Sequence, residues 1–220
     1  MRPQIKRLTV VWRPGKGKRR IPVAVVKSNA SITTFRYLKE GIEKAKEDGF
    51  VCFPDFPDIE KVHEKNVLEA LSQRLNDRDR SDIQNYYDFW EVPDSAKGDT
   101  YRLLAYTQGM LATDNFEFLA EYYGVRGVRF VSEIAGLTKN QLENETLKEG
   151  DELEWKLDKD NEFDQYAVKL LNGGKDVGYV KLIHSRVFHL KGSSQLKVRV
   201  KKIEHNGHIS RAFILIYSQF

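Results

Sequence analysis

The sequence predicts an α+β chain: an N-terminal half with a small sheet and packed helices, and a C-terminal half that forms a partly open, OB-like barrel of about six strands with one short helix. Three observations carry this. Apolar residues alternate with polar ones in Glu152–Leu157, Gln195–Glu204 and His208–Tyr217, the period of half-buried strands. The turn signals Asn172-Gly173-Gly174 and Asn206-Gly207 lie between such runs. The first half mixes short β-rich runs with stretches of helical composition.

Taken in order, Leu8–Trp12 and Ile21–Val26 read as strands joined by Arg13-Pro14-Gly15-Lys16-Gly17-Lys18-Arg19-Arg20, an exposed turn with a strongly basic tip. The tip is either a solvated hairpin or a positive finger that reaches a nucleic-acid backbone through Arg19 and Arg20. It lacks the spacing and the Lys-Ser/Thr ending of a phosphate-cradling loop. Ile32–Leu38 reads as a third strand and Lys39–Asp48 as a helix stopped by Gly49. Phe50–Asp58 is a Pro-punctuated aromatic segment. Ile59–Leu75 is expected to be a longer helix through Val62, Leu68, Leu71 and Leu75. Ser81 is expected to cap a helix carrying Tyr86, Tyr87, Phe89 and Trp90. Tyr101–Gln108 is a further helix ended by Gly109, and Thr113-Asp114-Asn115 opens a last short segment up to Tyr123.

Tyr122-Tyr123-Gly124-Val125-Arg126-Gly127 is the expected junction, dividing the chain into domains 1–124 and 128–220. Beyond it Val128–Ala135 starts as a strand, and Thr138–Leu147 is a polar loop or short helix. Glu152–Leu157, Tyr166–Leu171 and Asp176–Val180 follow as strands. Lys181–Leu190 is the expected short helix, with Leu182, Ile183, Arg186, Val187 and Leu190 on one face. Six strands in this order make a partly open barrel of the kind that binds oligonucleotides.

Composition narrows the function classes. Forty per cent apolar residues are ample for packed cores, and a single cysteine, Cys52, excludes an intrachain disulfide and multi-cysteine zinc patterns. A reducing, cytoplasmic setting fits that count. No apolar run approaches the roughly 20 residues of a membrane helix, and the first ten residues lack the core of a signal peptide. The net charge of +4 is segregated. Residues 1–20 hold eight bases and no acid, residues 133–164 eleven acids and four bases, and residues 175–220 nine bases and two acids. These runs are either solvated faces or a basic surface for phosphates beside an acidic shoulder. His205 and His208 merely flank a turn. The aspartates of 158–164 lack the Gly and distal Glu of a calcium loop. No nucleophile–base pair stands out, so the chain reads as a binding protein with no cofactor and no metal, not an enzyme.

Gly150-Asp151, the cluster Asn161-x-Phe163-Asp164-x-x-Ala167-Val168 and Val177-Gly178-Tyr179-Val180 together resemble the HIRAN domain over roughly residues 128–218. This is a small β-barrel module found fused to helicase-like proteins and also alone in bacteria. Glu162 stands where that family usually has Pro, and Tyr179 where the eukaryotic module tends to have His. The resemblance implies binding of single-stranded DNA or its 3′ end. Phe163 would stack on a terminal base, Asp164 would accept a hydrogen bond from the 3′-hydroxyl, and Asn161 would shape their loop. Tyr179 would flank the pocket, Lys181 would neutralise a phosphate, and Arg129 with Phe130 would form a basic–aromatic pair on the first strand. The bland alternative for Phe163 and Tyr179 is core packing, and for Asp164 a turn.

A second resemblance runs through the first half. A basic hairpin, ITTFRYL, FPDFP, Gln73-Arg74-Leu75, Arg78-x-Arg80-Ser81-Asp82 and Leu103–Gly109 follow one another in an order similar to that of the N-terminal subdomain of HipA-type toxin kinases. It implies a toxin–antitoxin or defence setting, and a separate HipA-like kinase-lobe protein as partner. The alternative function is accordingly a protein-interaction module that docks on and regulates such a kinase.

Overall fold

The computed structural model describes residues 4–15, 17–137 and 143–219. It is a mixed α+β chain in two compact units, Ile5–Glu121 and Tyr122–Phe220, the second taking in the first four residues as well. Among the described residues no helix is long and apolar enough to cross a membrane.

The first unit is built on a four-stranded sheet in the order β3-β2-β1-β4, with β1 Ile5–Trp12, β2 Ile21–Ser28, β3 Thr33–Tyr37 and β4 Phe116–Tyr122. Leu8, Val10, Val11 and Val23 to Val26 bury the centre of the sheet. Helix α1 (Lys39–Glu47) lies so close to β2 that a Cβ on Gly41 would stand 1.8 Å from the Pro22 carbonyl oxygen, which admits only glycine there. The expected helix over 59–75 is confined to α2, Val67–Ser72. His63 instead exchanges both backbone hydrogen bonds with Phe35 (2.8 and 2.9 Å), which holds this stretch extended against the sheet edge and leaves Val62 exposed. Ser81 does not cap α3 (Ile83–Phe89). Asp82 takes the capping position, makes no side-chain capping bond, and pairs with Arg80. Helix α4, Thr100–Thr107, is capped by the Asp99 carboxylate, which accepts from the Arg102 amide at 3.0 Å. The basic hairpin tip is tethered: Arg20 and Arg13 both reach the buried Glu117, while Arg19 is exposed. Lys16 lies outside the described residues.

The second unit is a closed barrel, not a partly open one, in the order β10-β5-β8-β7-β6-β9, its strand pairings among the described residues all antiparallel. Its strands are β5 Arg129–Ala135, β6 Glu152–Leu157, β7 Val168–Asn172, β8 Lys175–Val180, β9 Leu196–His205 and β10 Ile209–Ser218. Gly173 and Gly174, at φ 54 and 82°, close the β7–β8 hairpin as the two left-handed positions that such a turn demands. Of the expected loop or helix over 138–147, residues 138–142 lie outside the described residues, and Asn144–Thr146 is a single 3₁₀ turn. The expected helix over 181–190 is a 3₁₀ helix, His184–His189, with Ile183 at φ 72° breaking the chain before it. Three residues per turn redistributes the faces: Val187 and Phe188 are buried with His184, and Arg186 moves out of the predicted apolar face towards His189.

Candidate nucleic-acid interface

The connection from β6 to β7, Asp158–Tyr166, is rich in Asp and Asn, and it is held by its own side chains. The Asp158 amide donates to the Ala167 carbonyl (3.0 Å), extending the ladder one step past β6. The Asn161 carboxamide oxygen accepts the backbone N–H groups of Phe163 (3.0 Å) and Asp164 (3.1 Å), a side chain acting as the acceptor a backbone turn would otherwise supply. One Asp164 carboxylate oxygen accepts the Tyr166 amide at 2.9 Å. Its other oxygen, Oδ2, meets the Ser185 hydroxyl only at 3.5 Å. From β8, the Tyr179 hydroxyl donates to Asp158 Oδ2 (2.9 Å), which also accepts from the Asn161 amide (3.4 Å).

The outcome of this pinning is the placement of Phe163, which is 62% exposed. Full burial of such a ring is worth roughly 1.5–3 kcal/mol, so leaving it in water forgoes a good part of that. Tyr166, at the end of the same loop, and Tyr179 draw in cationic and imidazole groups that the sequence did not assign to the site. Arg186 lies 5.2 Å over the Tyr166 ring, and His189 meets that ring edge-on at 5.3 Å while its Nε2 sits 3.2 Å from the Tyr166 carbonyl oxygen. Lys169 pairs with Asp176 (3.4 Å) and lies 5.7 Å over the Tyr179 ring. The spacing of Arg186 and His189, three apart, is the signal that would have placed them on one 3₁₀ face.

These contacts shift the acid–base properties. The Tyr179 hydroxyl, and after it the Asn161 amide, hold the Asp158 carboxyl below the usual carboxylate range. Partial burial, and then the bond to Asp158, raise the Tyr179 phenol. The Asp176 carboxylate raises the Lys169 ammonium.

The structure thus brings Asn161, Phe163, Asp164 and Tyr179 to one end of the barrel, and within the barrel it leaves Phe130, Lys181 and Arg129 out of that group. Phe130 is a core residue, 1% exposed, stacked on Tyr122 (5.1 Å) and edge-on to His184 (4.8 Å), with no face for a base. Lys181 is 0% exposed. Its amide donates to the Glu133 carbonyl (3.1 Å) and its ammonium sits 3.4 Å from the Glu133 carboxylate, which Arg211 also holds, so it reaches no phosphate. Arg129 is exposed over the Tyr217 ring, but it starts the strand whose other end, Ala135, pairs with Tyr179. Six residues of strand put it roughly 20 Å away. Arg19 and Arg20 belong to the other unit.

No family model matches the sequence, and no curated protein matches it. Among solved structures, the HIRAN domain of human HLTF matches with a TM-score of 0.33 and 16% identity, over 41% of this chain and 76% of that one. A score that low carries no argument about ligand or mechanism. The resemblance of the first half to HipA-type kinases has no counterpart in these matches.

Proposed function

We propose that the second unit binds single-stranded nucleic acid, in the form of a free DNA 3′ end, through the Asp158–Tyr166 loop, and that it does so without catalysis. The observation that carries this reading is Phe163, a large apolar ring held in water by a loop that its neighbours' hydrogen bonds make rigid. A ring so presented stacks on an unpaired base without the ordering cost a flexible loop would add. Asp164 Oδ2, beside it, is the acceptor for a terminal hydroxyl. Arg186, over the Tyr166 ring at the end of the same loop, supplies positive charge towards the backbone phosphate before the end, in place of the buried Lys181.

Fluorescence anisotropy with a short labelled strand tests this. The strand ending in a 3′-hydroxyl should bind roughly tenfold or more tighter than the same strand ending in a 3′-phosphate, because two negative groups in a partly desolvated site repel by on the order of 1–4 kcal/mol. Asp164→Asn should narrow that gap. Equal binding of the two strands by the unaltered chain would remove end recognition. Shortening of the labelled strand in the presence of magnesium would overturn the non-catalytic reading.

A further inference from the structure

The barrel is closed around its circumference, but one seam opens part-way along. Strands β6 and β9 pair at Glu152 with Arg199 and at Leu153 with Val198, and the ladder ends there. From Glu154 to Leu157, β6 is paired with β7 only. Antiparallel hydrogen bonds alternate from one neighbour to the other along a strand. The Val200 amide donates to the Asp151 carbonyl, so odd-numbered residues of β6 face β9. The Asp158 amide donates to the Ala167 carbonyl, so even-numbered ones face β7. Both parities agree. The backbone N–H and C=O of Trp155 and Leu157 therefore point to the side that β9 has left. The place of the missing rung is taken by a side chain: the Trp155 indole N–H donates to the Leu196 carbonyl at 3.1 Å, and its ring rests edge-on against Phe188 at 4.9 Å.

Outside this seam runs an open groove of about 770 Å³, within the range of roughly 300–1,000 Å³ usual for ligand clefts. Glu152 and Glu154 line the β6 wall, Lys197 and Arg199 the β9 wall, and Tyr217 the far rim. Glu152 and Arg199 already neutralise one another, with Tyr217 bonded to both. Glu154 and Lys197, the next residues along on either wall, are exposed and make no ion pair among the described residues.

We infer that this seam is a docking site for an extended peptide segment of a partner protein, which adds as a strand to the free edge of β6. Main-chain bonds to Trp155 and Leu157 supply affinity, and alternate side chains supply register. The peptide's outward positions carry a basic residue for Glu154 and an acidic one for Lys197, while its inward positions are β-branched and rest on the Trp155 indole. The paired opposite charges on the two walls favour a peptide over a nucleic-acid backbone, which would set phosphates against Glu152 and Glu154. Sheet edges left open in this way are ordinarily blunted or covered, because they invite another strand. The site is distinct from the Phe163 loop and does not rest on the nucleic-acid reading.

The probe is an array of capped heptapeptides with Val, Ile or Thr at odd positions and every combination of Lys, Glu and Thr at even ones, incubated with the full chain. The tightest binders should carry one Lys and one Glu, and N-methylation of one alternate set of their amides should abolish binding while N-methylation of the other set is tolerated. Glu154→Lys and Lys197→Glu, both exposed and safe for folding, should each weaken the selected peptide about tenfold, and swapping the peptide's two charges should restore binding to the double variant. In the free chain, the Trp155 and Leu157 amides should exchange with solvent far faster than Leu153, and the peptide should slow them. Absence of any binder, indifference to the pattern of N-methylation, or displacement of the peptide by a short single-stranded oligonucleotide with no effect of the two charge reversals would overturn the inference.

Discussion

Two phenylalanine-bearing connections in this molecule are held by a tyrosine hydroxyl from a neighbouring strand, and they end in opposite places. In the first unit, Tyr37 of β3 donates to the Phe56 carbonyl (2.6 Å) and accepts from the Phe53 amide (2.7 Å). Phe53 and Phe56 are buried, their rings 5.6 Å apart, within a cluster that includes Phe35, Phe116 and Phe118. Arg74 lies over three of those rings, with its charge taken up by Asp114. In the barrel, Tyr179 of β8 holds Asp158, and through it the loop that leaves Phe163 in water. The contrast is one of register. The first tyrosine bonds the backbone of the phenylalanines themselves and draws them under the sheet. The second bonds a carboxylate five residues upstream, and Asn161 then fixes the turn so that the ring points away. Irregular polar segments can thus hide an aromatic or present it, and which they do depends on what the clamp grips.

The largest expected difference between the two regions lies in stability. Phe53→Ala should cost about 3–5 kcal/mol in urea unfolding, the price of a cavity in a packed aromatic cluster. Phe163→Ala should stay within about 0.5 kcal/mol, since an exposed ring leaves no cavity, while losing about 1–3 kcal/mol of affinity for a single strand. A large stability loss at Phe163 would mean that the ring packs, and the comparison would collapse.

The next difference concerns the clamps. Tyr37→Phe leaves a buried donor at Phe53 and a buried acceptor at Phe56 without their partner, and should cost about 1–3 kcal/mol. Tyr179→Phe leaves only groups that water reaches, and should cost under about 1 kcal/mol, yet it should raise the rate of amide exchange at Phe163 and Asp164 by freeing the loop. Gly178, beside Tyr179, provides the control for backbone rather than clamp. Its φ of 121° and a Cβ position 2.6 Å from the Ala135 carbonyl oxygen leave no room for alanine. Gly178→Ala should therefore disrupt the β5–β8 pairing and cost at least about 2 kcal/mol by the same unfolding measurement.

Much of this contrast was not visible in the residues alone. The strands of the barrel, the Gly173-Gly174 turn and the α+β character follow from alternation and turn chemistry, which are local. Asn161, Phe163, Asp164 and Tyr179 were grouped by the resemblance to the HIRAN domain; turn formers around Phe163 are a local pattern, but Tyr179 comes from another strand and no local rule joins it to them. Lys181 was misread because its burial depends on Glu133, nearly fifty residues earlier, and no local rule anticipates a buried lysine. Phe130 was misread for the same reason: its partners are Tyr122 and His184. The truncated helix at 59–66 shows tertiary pairing with β3 overriding a helical pattern. The open seam at Trp155 is a matter of where one ladder stops, which the alternation of β6 conceals.

The smallest expected effect is one of pH, and its sign separates the two clamps. The Asp158 carboxyl is depressed in the folded chain by Tyr179 and Asn161, so its contribution is present above the unfolded carboxylate value, near 3.9, and is lost as pH falls through the folded one. Tyr179 is raised, so its contribution is present below the unfolded phenol value, near 10, and is lost as pH rises past it. The barrel clamp is therefore at full strength between about pH 4 and 10 and weakens on both sides. The Tyr37 hydroxyl is held by two backbone groups and, among the described residues, by no carboxylate. Burial pushes its phenol up to about 12, and the first unit loses this clamp only on the alkaline side, between the unfolded value and that one. Urea midpoints measured from pH 3 to 5 should fall less steeply in Tyr179→Phe than in the parent, while Tyr37→Phe should leave that acid limb unchanged. Between pH 10 and 12 substitution of Tyr37 should reduce, not abolish, the late-titrating phenolate absorbance, which burial also gives to Tyr86 and Tyr106. An acid limb that is identical in the parent and in Tyr179→Phe would mean that the Asp158 bond does not hold the loop, and the rigid presentation of Phe163 would need another cause.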